Sequence, residues 1–416
     1  MGDIYSSAEL TLIAAAGANP AYGLPGVGRD REHLRHDVTI GRLRFVTSYE
    51  WDMTEIYDSV WSSRAWTFQE GYVSRRRLYF TDTRLIYICN DWHGVGCDAE
   101  MVSQPTRTAL GSLSRSLPKG TRELRHVNNI LKEYTRRKLT YDSDALNGIV
   151  GVLNTLSKRK SPIFHTWGVA FGELPLAITL TWFHDPPCLR RKAFPSWSPF
   201  GWKGVADYSY SSPPAVISRS FQVKVWDNSK FIRLSQVKQN PHEQIGVESL
   251  EKSRYLKITA KLGWVEVRHF SLSELRSIDQ SNVVVDRPLC SFGPRAGFHV
   301  RVPAGEDAKI YAHTLPLWDL QLDLTLGSIR VPCALIPGSK KAQSMVVMML
   351  RNHGTHYERI GYFNYLQTYA GRFNFLFKDD NGALTVEKVL EDIDSYGDED
   401  IARDFNNPEM QTFLLG

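Results

Sequence analysis

Cysteine is scarce in this chain. Five residues in 416 (Cys89, Cys97, Cys188, Cys290 and Cys333) are odd in number and scattered, with no Cys-x-x-Cys spacing. That excludes a disulfide framework and fits a reducing compartment. No uninterrupted apolar run reaches the roughly 18–20 residues of a membrane span. The opening Met1-Gly2-Asp3-Ile4-Tyr5 has no basic stretch leading into an apolar core, so no signal peptide is expected. Charge of one sign is also lacking: 50 basic against 45 acidic side chains give +5 and a pI near 8.8. The basic runs are short (Arg75-Arg76-Arg77, Arg136-Arg137-Lys138, Arg190-Arg191-Lys192) and read as solvated surface, so neither a nucleic-acid nor a membrane partner is expected. A cytoplasmic location follows as an expectation.

Signatures of familiar chemistry are missing too. There is no Gly-x-Ser-x-Gly elbow, no Walker loop and no Gly-x-Gly-x-x-Gly after a strand. Cys89-x-x-x-His93-x-x-x-Cys97 lacks the second ligand pair of a zinc site. His353-x-x-His356 with Glu358 sits beside strands and reads as loop polarity. No metal and no bound cofactor is expected.

What the chain has is length and aromatic mass. At 416 residues it is too long for one average domain. Its 42% hydrophobic content, with eleven Trp, 18 Tyr and 19 Phe, can bury a large core whose polar tips need partners. Residues 1–100 read as short helices and strands: helical spacing from Ile4 to Leu12, strands over 10–15 and 43–49, a helix over 61–73 and a hairpin of 77–80 with 85–89. Residues 101–194 read as a helical connecting region, with helices over 124–134, 146–153 and 174–183. Residues 195–416 carry many short β-branched or aromatic runs, read as a mostly antiparallel sandwich or barrel-like sheet, with a short helix over 386–393. Pro195 to Trp202 reads as a rigid packed corner.

The segment Trp61-Ser62-Ser63-Arg64-Ala65-Trp66-Thr67-Phe68-Gln69-Glu70 resembles the Trp-x-x-Arg-x-Trp-Thr-x-Gln-Glu signature of fungal heterokaryon-incompatibility (HET) domains. Met1-x-x-Ile4-Tyr5-x-x-Ala8, Gly23-Leu24-Pro25-Gly26, and Ser74-Arg75-Arg76 with Phe80 and Cys89 are similar to the same family. Three later segments resemble the region that follows such domains: 137–147, Pro195-Ser196-Trp197-Ser198-x-x-Gly201-Trp202 and Tyr357-Glu358-Arg359-Ile360-Gly361. The family's opening Leu-Ser-Tyr-x-Trp-Gly block is not in the sequence, so an N-terminally truncated HET domain is expected. The fold implied is α+β and multidomain: the remnant of an α/β, TIR-like HET domain, then the helical segment, then the β-rich region.

On a helical wheel, residues 61–72 put Trp61, Ala65, Phe68 and Tyr72 on one face with Arg64 beside it, and Trp66 and Glu70 on the other with Gln69 between. A tryptophan on the polar back implies a helix covered on both sides or lining a cleft. The structural reading pairs Arg64 with a carboxylate, lets Gln69 satisfy backbone groups and has Glu70 cap or pair. The catalytic reading rests on the proposed likeness of HET to TIR domains, some of which cleave NAD with a glutamate. It makes Glu70 the candidate carboxylate, with a tryptophan as stacking platform and NAD as substrate. The resemblance implies non-self recognition and cell-death signalling through contacts with other proteins of an incompatibility pathway. A TIR-like NAD-cleaving enzyme is the alternative. A truncated remnant or mis-started gene model is a third.

Overall fold

A computed structural model describes residues 2–31, 37–46, 53–90, 95–97, 100–102, 121–172, 180–184, 189–208, 221–227, 229–237, 251–270, 283–284, 297–301, 310–311, 328–337, 344–366, 375–378, 384–387 and 408–416. The chain divides into two compact units, Met1–Phe164 and His165–Gly416. Both contain strands. The first is α and β mixed, and the second is dominated by a large sheet.

In the N-terminal unit the helices are α1 (Gly2–Ser7), α2 (Thr54–Tyr57), α3 (Val60–Ser63), α4 (Thr67–Val73), α5 (Thr121–Thr135) and α6 (Asn147–Ser157). The strands are β1 (Thr11–Ala14), β2 (Asp37–Ile40), β3 (Leu43–Val46), β4 (Arg76–Phe80), β5 (Leu85–Cys89), β6 (Val95–Cys97) and β7 (Glu100–Val102). The main sheet runs β1-β4-β5-β6-β7, parallel between β1 and β4 and antiparallel thereafter. Register places Ile13, Tyr79 and Ile86 in one row and Thr11, Arg77 and Ile88 in the next, all on one face. Ile13, Tyr79, Ile86 and Ile88 pack there with Met53, Ile56 and Trp61. On the other face Leu12 stays 58% exposed, so β1 alternates buried and exposed along its length. The β2–β3 hairpin turns at Gly41, whose φ of 64° lies in the left-handed region that glycine adopts at little cost.

Several sequence expectations hold here: the helix over 124–134 lies within Thr121–Thr135, the strand over 10–15 is Thr11–Ala14 and the hairpin of 77–80 with 85–89 is Arg76–Phe80 with Leu85–Cys89. The helical spacing from Ile4 to Leu12 yields a helix only to Ser7. One is corrected. Residues 61–73 are not one helix but two short ones, because Arg64 has extended backbone (φ −89°, ψ 135°) and ends α3. The interruption is fixed from outside: Lys138 N–H donates to the Ser63 carbonyl and Ala65 N–H to the Lys138 carbonyl. Two backbone bonds made across the fold outweigh the local preference for a continuous helix.

The C-terminal unit's strands begin with β8 (Phe164–Thr166), which spans the boundary. They continue with β9 (Val169–Phe171), β10 (Trp182–His184), β11 (Ala206–Tyr208), β12 (Gln222–Trp226), β13 (Phe231–Arg233), β14 (Leu256–Phe270), β15 (Val283–Val284), β16 (Gly297–Arg301) and β17 (Ile310–Tyr311). The last are β18 (Ser328–Pro337), β19 (Ser344–Asn352), β20 (Tyr357–Leu366), β21 (Phe375–Lys378), β22 (Leu384–Glu387) and β23 (Glu409–Leu415). Ten of them share one sheet among the described residues. Within it β14, β18, β19, β20 and β23 pair in a closed circuit, the β20–β23 seam resting on Tyr357 opposite Leu415. That is the barrel-like arrangement expected, and closure removes edges. β19 is buried on both faces from Val346 to Leu350.

β14 is one unbroken strand from Leu256 to Phe270. Its buried residues switch from even (Ile258, Ala260, Leu262) to odd (Val265, Val267) around Gly263, so the two halves face different cores. β18 went unread in the sequence because Pro332 and Pro337 argue against a central strand. Its β19 ladder starts only at Cys333, so Pro332 sits where no neighbour on that side needs its missing N–H. The helix expected over 174–183 is corrected at its end, where Trp182–His184 is a strand, and 173–179 lie outside the described residues. The terminal helix over 386–393 is corrected likewise: Leu384–Glu387 is a strand and 388–393 lie outside.

Candidate functional site

The signature residues converge on the α3–α4 corner. Ser59 caps α3, its Oγ accepting from Ser62 N–H at 3.0 Å. Thr67 then ties the corner together: its hydroxyl reaches the carbonyls of Trp61 and Arg64 (2.7 Å to Arg64). The Arg137 guanidinium donates to Thr67 Oγ1 at 3.1 Å and to the Arg64 carbonyl at 3.3 Å. It lies 5.0 Å from the Phe68 ring centre and 5.8 Å from that of Trp61. Burial lowers its pKa to about 10, which leaves it cationic at neutral pH.

The structure treats the signature side chains differently from one another. Trp61 packs edge-on against Tyr79 at 5.6 Å. Trp66 is half-buried and its indole N–H donates to Asp144 at 3.2 Å. Gln69 is 1% exposed at the contact of α4 with α1 and α6, where a Cβ on Gly151 would stand 2.7 Å from its Oε1. Glu70 is half-buried and accepts the Tyr5 hydroxyl of α1. Burial, followed by that carboxylate, raises the Tyr5 pKa. Arg64 corrects the structural reading: its side chain is exposed and pairs with no carboxylate among the described residues, and only its backbone serves the corner.

Two features were missed in the sequence. Arg137, at the head of the quoted 137–147 segment, is the half-buried cation of the corner and bonds a hydroxyl and a carbonyl. Tyr72 hydrogen-bonds His126 Nε2 at 3.1 Å, and Arg159 does the same at 3.1 Å. Burial and then the Arg159 charge push His126 down to about 4, so it is a neutral acceptor. Beneath the sheet, Arg77 is 3% exposed and donates to the Gly71 carbonyl and Asn90. As chemistry, the corner holds two carboxylates: Asp144, bonded to the Trp66 indole, and Glu70, engaged by a phenol and within the field of Arg137. Trp66, its proposed platform, is pinned at its polar edge.

The other constellations resolve as packing. Every residue from Pro195 to Trp202 is buried, and the indole N–H groups of Trp167, Trp182, Trp197 and Trp202 donate to the carbonyls of Ser253, Trp197, Arg254 and Ser196. Arg359 is fully buried, 4.0 Å from the Trp182 ring centre, and donates to the carbonyls of Leu180 (2.9 Å) and Trp182. Glu358 joins Arg190 (2.9 Å), His353 (3.1 Å) and Arg351 (3.3 Å). Cys89 is a buried free thiol, and His93 lies outside the described residues. Among the described residues no group of three His, Cys, Asp or Glu is placed to hold a metal ion. None of their helices is long and apolar enough to cross a membrane, which says nothing of strands.

An α/β corner closed by Trp-x-x-Arg-x-Trp-Thr-x-Gln-Glu is thus the defining feature of the N-terminal unit. Residues 1–70 match the family model described as "Heterokaryon incompatibility protein (HET)", and the match stops at Glu70. Over this segment the chain is similar to the HET family. No curated protein and no solved structure matches the chain.

Proposed function

We propose that this is a non-self recognition protein of the HET type, which signals programmed cell death in a fungal cytoplasm through contacts with other proteins of an incompatibility pathway. The observation that carries this reading is the HET match over residues 1–70. Two structural features support contact over catalysis. Trp61, Trp66 and Glu70 are each occupied in holding the α3–α4 corner to its neighbours, and Gln69 is buried among them. The β2–β3 hairpin turns Val38, Ile40, Leu43 and Phe45 to one face, 52–66% exposed, with Val38 opposite Phe45 and Ile40 opposite Leu43. An isolated hairpin with a bare apolar face is marginal in water and gains from a partner that covers it. The test is growth arrest in hyphal cells that overexpress the full chain. Arrest by the native chain, lost when the four apolar residues become serine at unchanged expression, is the expected result. Arrest that survives this change moves the contact elsewhere, and no arrest by either chain overturns the reading.

A further inference from the structure

The outward face of β12, β13 and β14 is cationic by register. Lys224 on β12 lies directly opposite Arg233 on β13 and Lys257 on β14. Directly paired residues project to the same face, so the three cations form a row across three strands. The alternate residues Val225, Ile258 and Ala260 are at most 1% exposed and point inward, which turns the row to solvent. Arg233 and Lys257 are exposed and Lys224 is half-exposed, and Lys261 extends the charge along β14 on the same side. Between the cations stand Gln222, Thr259 and Thr412, the last two joined hydroxyl to hydroxyl at 2.8 Å. Among the described residues no carboxylate pairs with Lys224, Arg233, Lys257 or Lys261.

Like charges directly opposite one another destabilise a sheet, so this row gains from anions that meet it. The chemistry of the anion follows from the neighbouring ring pair. Trp226 already has Phe231 against it edge-on (5.2 Å) and the Lys252 ammonium 5.1 Å from its centre. An indole so occupied is a poor platform for base stacking, on which single-stranded nucleic-acid binding depends. Carboxylates on an extended chain need only the cations. We infer that this face docks an acidic polypeptide segment, its carboxylates pairing with Lys224, Arg233, Lys257 and Lys261 over the threonine strip. The inference uses no residue of the HET segment, so its test and that of the proposed function fail separately.

The experiment is fluorescence anisotropy of labelled poly-L-glutamate with the full chain, with an oligo-dT strand of equal length in parallel, at low and at physiological salt. Polyglutamate binds the native chain, and Lys224→Glu weakens binding by about tenfold or more, an effect that shrinks as salt screens the contacts. The melting temperature of that variant stays level or rises, because a carboxylate now stands between two cations. The control Lys160→Glu, an exposed cation elsewhere, changes affinity by less than about twofold, within the range of a remote surface charge. Equal losses in the two variants, or none in Lys224→Glu, overturn the inference. Should that reversal lower the melting temperature, Lys224→Gln with Lys257→Gln decides, and full affinity there is equally contradictory. Oligo-dT that binds more tightly than polyglutamate, and is lost with Lys224, reassigns the face to nucleic acid.

Discussion

The two units use their sequence motifs in opposite ways. In the C-terminal unit the Pro195–Trp202 corner and Arg359 are sealed: the four indoles bond to backbone carbonyls, and the Ser196 hydroxyl accepts the Arg359 N–H at 2.8 Å. Two segments more than 150 residues apart in sequence thereby become one buried polar network, satisfied at each indole. In the N-terminal unit the signature corner is only half sealed. Thr67 and Gln69 are buried, Trp66 and Glu70 reach part of the surface, and Arg64 lies in solvent. Of the thirteen exposed large apolar side chains among the described residues, eleven belong to this unit. The difference teaches that a dense motif signals constraint without signalling its kind. One motif specifies a core, and the other holds a corner beside a surface that has apolar area to cover.

The comparison breaks most visibly at Arg359. Replacing it with alanine leaves the Leu180 and Trp182 carbonyls without their donor and a hole beside the Trp182 ring. The expected loss is about 3–5 kcal/mol, with little rescue by lysine, which cannot span both carbonyls as a planar fork. Denaturant titration of the full chain checks it. A loss under about 1 kcal/mol would mean the network is not what holds that unit.

Acid should affect both units in the same window. His126 in one and His184 in the other are buried, each with its pKa lowered to about 4, chiefly by burial. Each binds a proton more readily once unfolded, so stability is full above the ordinary value near 6.5 and is lost as pH falls from there toward 4. Glu358, held low by Arg190 and His353 against its burial, contributes stability that is present above the ordinary glutamate value and lost at lower pH. Melting temperatures should therefore decline from pH 6.5 downward, and His126→Gln should flatten the decline for the N-terminal unit alone. A profile level between pH 7 and 4.5 would contradict these neutral histidines.

The smallest effects separate the members of the signature. Thr67→Val removes a hydroxyl that serves two carbonyls and receives Arg137, for an expected loss of about 2 kcal/mol. Arg64→Ala should cost no more than about 0.5 kcal/mol, since its side chain is exposed and pairs with no carboxylate among the described residues. Thermal melts of the two variants compare them directly, and a larger effect at Arg64 would restore the buried-pair reading.

How much of this was legible follows from the range of the forces involved. Helix α5 and the β4–β5 hairpin are local patterns, and the sequence displays them; the strand at β1 was legible as an apolar run, but not that Thr11 is buried and Leu12 exposed. The HET segment was legible as a string of residues, and the PSWS corner as a rigid one. Not legible were the break at Arg64, imposed by backbone bonds to Lys138, and the unbroken length of β14, fixed by pairing with β18 and β23. β18 was hidden by a proline whose missing N–H only the ladder explains. Arg137, 73 positions beyond Arg64, is the arginine that serves the corner, through Thr67 and the Arg64 carbonyl rather than through a carboxylate.

The most direct test sits at Glu70, where scaffold and chemistry make opposite forecasts. The full chain and its Glu70→Gln variant are incubated with NAD, and nicotinamide release is followed over time beside a thermal melt of each. A carboxylate engaged by Tyr5 in holding α1 to α4 predicts no release above background from either chain. It also predicts a stability loss of about 1 kcal/mol in the variant, which keeps the size but loses the charge-assisted bond. Steady release by the native chain, abolished in Glu70→Gln at an unchanged melting temperature, would contradict the scaffold role and make the corner an active site.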